Sequence, residues 1–479
     1  MSTLRPAGRT RRAPDPAATA RAERPFAGRM MAPLLIGVAL NPINSTMIAT
    51  VLVAVGNAFG VGPARTAWLV AVLYLASAVG QPTMGKLADL LGPRKVFLAG
   101  LAVVVAAGTV GTLAPAFGWL IASRVLLGLG TSAAYPAAMA MLRAESRRTG
   151  LATPRPVLGR ISLASLASAA VGPLLGGALA AGLGWRAVFA VNVPAALLAL
   201  LLTLRWVPAD GPAAARTGSE PTDRPVGRLD PLGLTLFAAT IGTAMLFLLD
   251  LAHPRWSLLA LTAALAAALT AWQLRAPHPF LDLRLLRRHP ELTRTFARSG
   301  LTYLVLYCML YGFAQWLEEA RGLSSLHTGL ITLPMSATAA ACSLLGARAR
   351  TLRRPLLALT VLLAAGSGLL LVVGHTAPIA LLVLVSALFG VGQGLASSVN
   401  QAAVYAQAPA DGIGAAAGLQ RTAIYLGAIL SSSVIALRYG SRASDTGLHG
   451  VALLMTGLSL AVLLLTATDR ALRRDRPTP

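Results

Sequence analysis

The chain has 479 residues, of which 56% are hydrophobic and only 12% charged. An ordinary soluble domain is about a quarter charged, so this composition excludes a soluble globular protein and indicates many membrane-spanning helices. The formal charge of +24 raises nucleic-acid binding as an alternative. The basic residues, however, are spread over loops and are not interleaved with aromatic side chains, so we expect no nucleic-acid partner.

Apolar segments long enough to cross a bilayer, which takes about 20 residues, recur along the whole chain. We count fourteen, which begin near Met31, Trp68, Val96, Gly118, Ile161, Val188, Pro231, Trp256, Ala297, Thr328, Leu356, Pro378, Ile413 and Val451. With the N-terminus inside, the inner loops and tails hold 33 of the 41 Lys and Arg residues and the outer loops hold six. Short basic loops are poorly translocated, so we predict a multi-pass protein of the cytoplasmic membrane with both termini cytoplasmic and its basic face against anionic membrane lipid.

Composition and a weak internal repeat divide the chain into parts. The repeat pairs Gly85–Asp89 with Gly346–Arg350, and Arg124–Gly130 with Ser386–Gly392. We therefore predict an all-α integral membrane protein with two six-helix halves, two inserted helices and a substrate site between the halves near mid-membrane. The predicted parts are a disordered cytoplasmic tail 1–29, a first half 30–207, a cytoplasmic linker 208–230, two inserted helices 231–275, an amphipathic cytoplasmic loop 276–296, a second half 297–469 and a cytoplasmic tail 470–479.

Asn41, Asn44 and Thr46 are polar residues of the first span that must find partners inside a bundle or cavity. We predict that Asn41 contacts the substrate and that Asn44 and Thr46 take part in coupling.

The loop after the second span reads Gly85-Lys-Leu-Ala-Asp89-Leu-Leu-Gly92-Pro-Arg94-Lys95. Asp89 and Arg94 can bridge helix ends at the inner face and form a conformational latch. The alternative is a tight turn that sets topology and needs Gly85 and Gly92 for its backbone. We favour the latch, because it fits a chain that moves between two states.

Arg124 lies within the fourth span, where a cation costs at least about 2.5 kcal/mol. No carboxylate lies at comparable depth, so its available partners are backbone carbonyls, Asn44 or a bound anionic group. Arg124 is either a structural hydrogen-bond hub or part of the coupling path through the first span, and we favour coupling. Later in the same span, Tyr135 is predicted to contact the substrate.

The fifth span contains Gly172, Pro173, Gly176 and Gly177. Small residues allow close helix approach, and proline bends a helix. We predict that this motif packs tightly between the halves and limits leakage.

The ninth span places Tyr303, Tyr307 and Tyr311 at intervals of four, with Gln315 continuing the row on one helix face. Tyrosines offer apolar area together with hydroxyl groups, which suits an amphipathic ligand, although ordinary helix packing explains the row equally well. We predict that Tyr307, Tyr311, Gln315 and, from the twelfth span, Asn400 contact the substrate.

Several of these motifs carry a family resemblance. The Gly85–Lys95 loop resembles the G-x-L-x-D-r-x-G-r-k/r motif of the major facilitator superfamily, and Arg124–Gly130 is similar to its fourth-helix motif. Gly172–Gly177 resembles the motif associated with antiporters. Trp185-Arg-Ala-Val-Phe189-Ala-Val-Asn192-Val-Pro194 resembles the WRxxFxxNxP pattern of the fourteen-helix drug:proton antiporters, the EmrB/QacA-like group, and Asp230–Gly233 also fits that group.

The resemblance implies the major facilitator fold and an exporter of hydrophobic small molecules, such as drugs, antibiotics or metabolites, that works by alternating access and proton antiport. The first span departs from the family pattern, because Asn44 stands where these antiporters often carry an aspartate. Asparagine cannot titrate, and the other carboxylates map to loops, tails or helix ends. We therefore favour a neutral, zwitterionic or anionic hydrophobic substrate over a dication.

Other functions remain open at this point. A facilitator or importer of a small metabolite and a non-transporting membrane sensor are the alternatives within the same fold. We predict no enzyme, no cofactor and no metal site, because HExxH, GxSxG, Walker and clustered Cys/His patterns do not occur. We expect a monomer.

Overall fold

The computed structural model describes residues 28–149, 155–210, 230–248, 254–277, 279, 283–346, 351–407, 413–469 and 472. Most of the two predicted tails and most of the predicted linker lie outside the described residues. The regular elements within these ranges are all helical, so the predicted all-α membrane fold is confirmed.

The described residues form nineteen α-helices, a 3-10 turn at Ile48–Thr50 and a π-helical turn at Cys308–Phe313. The α-helices are α1 Gly28–Met47, α2 Leu52–Phe59, α3 Pro63–Leu91, α4 Pro93–Thr112, α5 Phe117–Ser132, α6 Ala134–Thr149, α7 Arg155–Leu183, α8 Ala187–Ala190, α9 Asn192–Trp206, α10 Pro231–Leu248, α11 Trp256–Arg275, α12 Leu283–Arg288, α13 Pro290–Tyr307, α14 Ala314–Glu319, α15 Ser325–Gly346, α16 Arg353–Leu370, α17 Ile379–Gln407, α18 Ile413–Tyr439 and α19 Asp445–Thr468.

Each of the fourteen predicted apolar segments overlaps a helix or consecutive helices. By length and composition, thirteen helical stretches of the described residues can cross a membrane. Helix α15 has 22 residues but is not among these thirteen. The chain is therefore a multi-pass membrane protein, and the number of fourteen spans stays a prediction.

The helices pack as two groups. In the first group, which comprises α1 to α9, α7 and α9 pack on α1, and α3 and α4 pack on α5. In the second, which comprises α13 to α19, α18 packs on α13 while α16 contacts both α17 and α19. Two helix pairs, α3 with α18 and α7 with α15, join the groups. These pairs define the interface in which the candidate site lies.

The two inserted helices form a hairpin at the periphery. Helix α10 packs on α11 and contacts α3 and α18, whereas α11 buries only Leu269 and Gln273. The Asp230 carboxylate accepts hydrogen bonds from the Gly233 amide (2.8 Å), Trp272 Nε1 (2.7 Å) and Gln273 Nε2 (3.1 Å). Asp230 thus caps the start of α10 and ties it to the end of α11.

Candidate functional site

Arg124 connects three helices of the first group. Its Nε donates to the Leu69 carbonyl on α3 (2.8 Å) and its Nη1 donates to the Asn44 carbonyl on α1 (3.2 Å). The side chain is only 1% exposed, and Nη2 is buried without a hydrogen-bond partner among the described residues. Backbone carbonyls, including that of Asn44, are therefore the partners that the structure shows, and one guanidinium nitrogen remains available.

The Asn44 side chain pairs with a second asparagine. Its Nδ2 donates to Asn192 Oδ1 (2.5 Å) and to the Leu40 carbonyl (2.8 Å), and both asparagines are buried. Asn192 Nδ2 donates in turn to the Val188 and Phe189 carbonyls, each at 3.2 Å. Asn192 is the asparagine of the WRxxFxxNxP pattern. Asn192 was not predicted as a site residue, although its place in that pattern and its position as a second asparagine at membrane depth were both available signals.

The glycine motif of α7 packs directly on α1. A Cβ added to Gly172 would overlap the Thr46 hydroxyl, and one added to Gly176 would overlap the Met47 carbonyl. The Thr46 hydroxyl itself donates to the carbonyl of Pro42, a proline inside the helix (3.0 Å). The glycines therefore allow two proline-containing helices to approach closely.

The same motif also touches the second group. A Cβ on Gly177 would overlap the Ser325 carbonyl at the start of α15, and one on Gly329 would lie 2.9 Å from the Pro173 carbonyl. Since α15 belongs to the second group, the motif lies where the two groups meet. Gly172 and Gly176 thus contact α1, while Pro173 and Gly177 contact α15; the role of the motif in limiting leakage stays a prediction.

The tyrosine row of the ninth span crosses the interface. The rings of Tyr307 and Tyr311 stack with centroids 5.8 Å apart, and Tyr74 of α3 lies against Tyr307 at 5.1 Å. The Tyr311 hydroxyl donates to the Ser45 carbonyl (2.6 Å) and lies 3.0 Å from the Tyr74 hydroxyl. The row runs into the π-helical turn Cys308–Phe313, an irregularity that often marks functional sites.

A second aromatic cluster continues from Tyr74. The Tyr425 ring of α18 lies 5.6 Å from Tyr74, and its hydroxyl accepts a hydrogen bond from Gln81 Nε2 (2.6 Å). Arg421, one turn earlier on α18, places its guanidinium carbon 5.5 Å from the centre of the Tyr135 ring. Tyr135 is 37% exposed and Arg421 is exposed. Of these residues the sequence analysis selected only Tyr135.

The remaining predicted substrate residues lie at different places. Asn41 Nδ2 donates to Thr131 Oγ1 (2.8 Å) and Ser77 Oγ (3.3 Å), which ties α1 to α5 and α3. Gln315 is buried with its Oε1 unpaired among the described residues.

Asn400 is fully buried and accepts a hydrogen bond from Arg298 Nε (3.2 Å). Arg298 lies nine residues before Tyr307 on α13, about 13 Å along the helix axis. The structure therefore places Asn400 in a separate polar cluster, in which Arg298 also pairs with Asp469 (3.5 Å).

Within the predicted latch, the start of helix α4 is capped by the Asp210 carboxylate. Gly92 has φ 102°, in the region that favours glycine. The amides of Arg94 and Lys95, at the start of α4, donate to the Asp210 carboxylate at 3.1 Å each, and Arg94 Nη2 donates to the Leu204 carbonyl (3.3 Å).

The Asp89 side chain lies outside the described residues, so its bridge to Arg94 stays a prediction. Gly85 faces Pro136 of α6, where an added Cβ would make an ordinary contact at 3.6 Å. The contact of Asp210 with the start of α4 was not predicted from the sequence.

The groups also meet at the helix ends that we predict to face outwards. The Ala64 amide at the start of α3 donates to the Gly440 carbonyl after α18 (3.2 Å), and Gly62 packs against Ser441. The exposed Arg421 lies toward the opposite end of α18. The described residues contain no group of three His, Cys, Asp or Glu side chains that could hold a metal ion.

Comparisons with known proteins agree with this architecture. Residues 34–432 match the family described as Major Facilitator Superfamily. The chain is 31% identical over 445 residues to the uncharacterized MFS-type transporter YwoD of Bacillus subtilis, which covers 91% of this chain and 96% of that protein. It is 28% identical over 419 residues to the multidrug efflux pump LfrA of Mycolicibacterium smegmatis, covering 85% of this chain and 79% of LfrA. The crystal structure of the peptide transporter POT superposes with a TM-score of 0.69 at 15% identity over 95% of this chain and 98% of that one, which shows a shared fold.

Proposed function

Because this chain belongs to the Major Facilitator Superfamily and is a membrane transporter, we propose that it exports hydrophobic small molecules from the cytoplasm in exchange for protons. Within the superfamily we assign it to the fourteen-helix drug:proton antiporters. The observation that carries this proposal is the glycine motif of α7, which touches α1 on one side and the start of α15 on the other. The efflux function of the similar protein LfrA supports the direction of transport.

The proposed mechanism is alternating access between two halves, residues 30–207 and 297–469. Backbone-to-backbone contact at Gly177 and Gly329 leaves little room for water between the halves, so ions do not leak through this contact. The contact between Ala64 and Gly440 would open when the site turns outwards. Gly85, Asp89, Gly92 and Arg94 would form the latch at the cytoplasmic face.

We place Arg124 in the coupling path together with Asn44 and Thr46. The Arg124 guanidinium holds the backbone of α1 through the Asn44 carbonyl, and the glycine motif packs against Thr46 on the same helix. A movement of α1 therefore changes both the hydrogen bonds of Arg124 and the seal between the halves. The free Nη2 atom is the position at which a further partner would act.

The proposed substrate site is the aromatic region between α3, α13 and α18. Tyr135, Tyr307 and Tyr311 are its proposed substrate contacts. Asn41 and Gln315 are proposed contacts outside the aromatic region, and Asn400 lies in the separate polar cluster around Arg298. Stacked tyrosine rings give apolar contact area, and their hydroxyls give hydrogen bonds, so the site suits amphipathic molecules. We further propose a monomer in the cytoplasmic membrane with both termini in the cytoplasm.

The test is efflux of a panel of lipophilic fluorescent probes from cells that express the protein. We expect efflux to stop when a protonophore collapses the gradient, and also in Arg124→Ala. Arg438→Ala, an exposed arginine near the end of α18, is the matched control and keeps wild-type efflux. Membrane abundance is measured for each variant. Flux that survives the protonophore would favour a facilitator, and the absence of flux for every probe would contradict the proposed export.

A further inference from the structure

Arg421 is a cation inside a membrane protein that the described architecture leaves accessible. It lies eight residues after the start of α18, about 12 Å along the helix, and its side chain is exposed. The ion pairs formed among the described residues do not include it. A charge at this depth is costly unless it faces a cavity or a partner.

The neighbours of Arg421 come from both groups of helices. Tyr135 of the first group lies under the guanidinium at 5.5 Å, while Tyr303 and Tyr425 of the second group interact with it electrostatically. The guanidinium of Arg421 therefore lies between residues of both groups, and α18 pairs with α3 across the interface. Its surroundings are aromatic rings and neutral hydroxyl groups.

We propose that Arg421 binds the anionic group of the substrate, and that the substrates include aromatic molecules with a carboxylate. A guanidinium donates two parallel hydrogen bonds to a carboxylate, which fixes both its position and its orientation. Tyr135 and Tyr303 then contact the aromatic part of the same molecule. This inference rests on the proposed export function and adds a substrate class to it.

The geometry distinguishes Arg421 from Arg124, the cation of the fourth span. Arg124 is buried and already holds two backbone carbonyls, so it is suited to hold helices in place. Arg421 is exposed and is held by aromatic contacts, which a ligand can share. The two arginines thus have different roles, and a variant of Arg421 should change the choice of substrate while a variant of Arg124 should change all transport.

The test is equilibrium binding of two dyes to the purified full-length protein, measured by fluorescence anisotropy. The dyes are a xanthene with a free carboxylate and the methyl ester of the same dye, which differ only at the carboxyl group. We expect wild type to bind the carboxylate form, and Arg421→Gln to weaken that binding about tenfold while binding of the ester changes less than twofold. Arg421→Lys keeps the charge but loses the paired donors. Its affinity for the carboxylate form should therefore lie between those of wild type and Arg421→Gln. Arg438→Gln on the same helix is the control.

Each outcome decides the inference. Equal weakening of both dyes in Arg421→Gln, or unchanged binding of the carboxylate form, would overturn it, as would wild-type protein that binds the carboxylate form no better than the ester. Because binding is measured without a gradient, these results are independent of whether the protein exports. Export is then followed separately with the same two dyes in cells, where selective binding without efflux would contradict the proposed function and leave the Arg421 site standing.

Discussion

Asn44 and Arg124 each join helices that are distant in the sequence: the Asn44 side chain binds Asn192, and the Arg124 guanidinium binds the Leu69 and Asn44 carbonyls. The polarity of Asn44 and the cost of a buried cation at Arg124 can be read from the sequence. Of the partners that the sequence left open for Arg124, the structure shows backbone carbonyls. The partner of the Asn44 side chain cannot be predicted from the sequence. Asn192 is 148 residues away in sequence, and their contact depends on how α1 and α9 pack. Tyr74 and Arg421 were missed for the same reason, since their roles arise from neighbours on other helices.

The hydrogen bond between Asn44 and Asn192 should contribute measurably to the free energy of unfolding. Removing one partner leaves a buried amide unsatisfied, which costs about 1–3 kcal/mol. We expect Asn192→Ala to lower the apparent Tm of the purified protein, and the double variant with Asn44→Ala to cost less than the sum of the two single changes. Asn57→Ala, at an exposed position of α2, is the control. Strictly additive losses would show that the two side chains do not act as a pair.

Asn44→Asp should add a titrating group to the coupling path. The new carboxyl would face Asn192, the partner of the Asn44 side chain, on a residue whose backbone carbonyl binds Arg124, and its charge would change with pH. We expect the pH profile of probe efflux to gain a step that wild type lacks. Asn44→Gln, which cannot titrate, should not add this step. An identical profile in wild type and Asn44→Asp would remove this position from the coupling path.

At the scale of the helix, the sequence predicts most of what the structure contains. Runs of apolar residues about 20 long locate the helices, and glycine spacing marks the helix that packs closely. The 3-10 turn after α1 and the π-helical turn after α13 were not predicted, because such breaks depend on local hydrogen bonds such as those that the Pro42 carbonyl accepts from Ser45 and Thr46. Nor was the cap that Asp210 gives to α4.

A substitution at Gly177 tests whether transport needs the contact between α7 and α15. In Gly177→Val the new side chain would overlap the backbone of Ser325, which is not free to move aside. We expect probe efflux to fall at least tenfold while the protein still reaches the membrane. Gly182→Val is the matched control, because an added Cβ five residues later on α7 meets nothing within 4 Å. Equal efflux in the two variants would mean that this helix contact does not matter for transport.

A substitution at Asp230 tests whether this residue holds the inserted helices α10 and α11 together. Asp230→Ala removes a helix cap, which is worth about 0.5–2 kcal/mol, and also leaves Trp272 and Gln273 without a carboxylate partner. We expect a lower apparent Tm and faster proteolysis between α10 and α11. Thr235→Ala, an exposed change on α10, should leave both unchanged. If Asp230→Ala behaves like this control, the cap does not hold the hairpin.

For the whole molecule, the charge asymmetry and the weak repeat predict a many-helix membrane protein with two related groups. They do not predict that α3 meets α18 and α7 meets α15, because each pair is separated by more than a hundred residues and forms only when both groups have folded. The position of the tyrosine row between the groups follows from these two pairs. The glycine motif and the aromatic region are therefore parts of one interface, and Arg124 binds α1, the helix on which the motif packs.

The proposed exchange of substrate for protons is tested by measuring proton movement in proteoliposomes. The purified protein is reconstituted with a pH-sensitive dye in an acidic lumen, and a neutral lipophilic probe is added outside. We predict that the lumen becomes more alkaline as the probe enters, and that Arg124→Ala abolishes both changes. Entry of the probe through the wild-type protein with no change in luminal pH would contradict proton antiport.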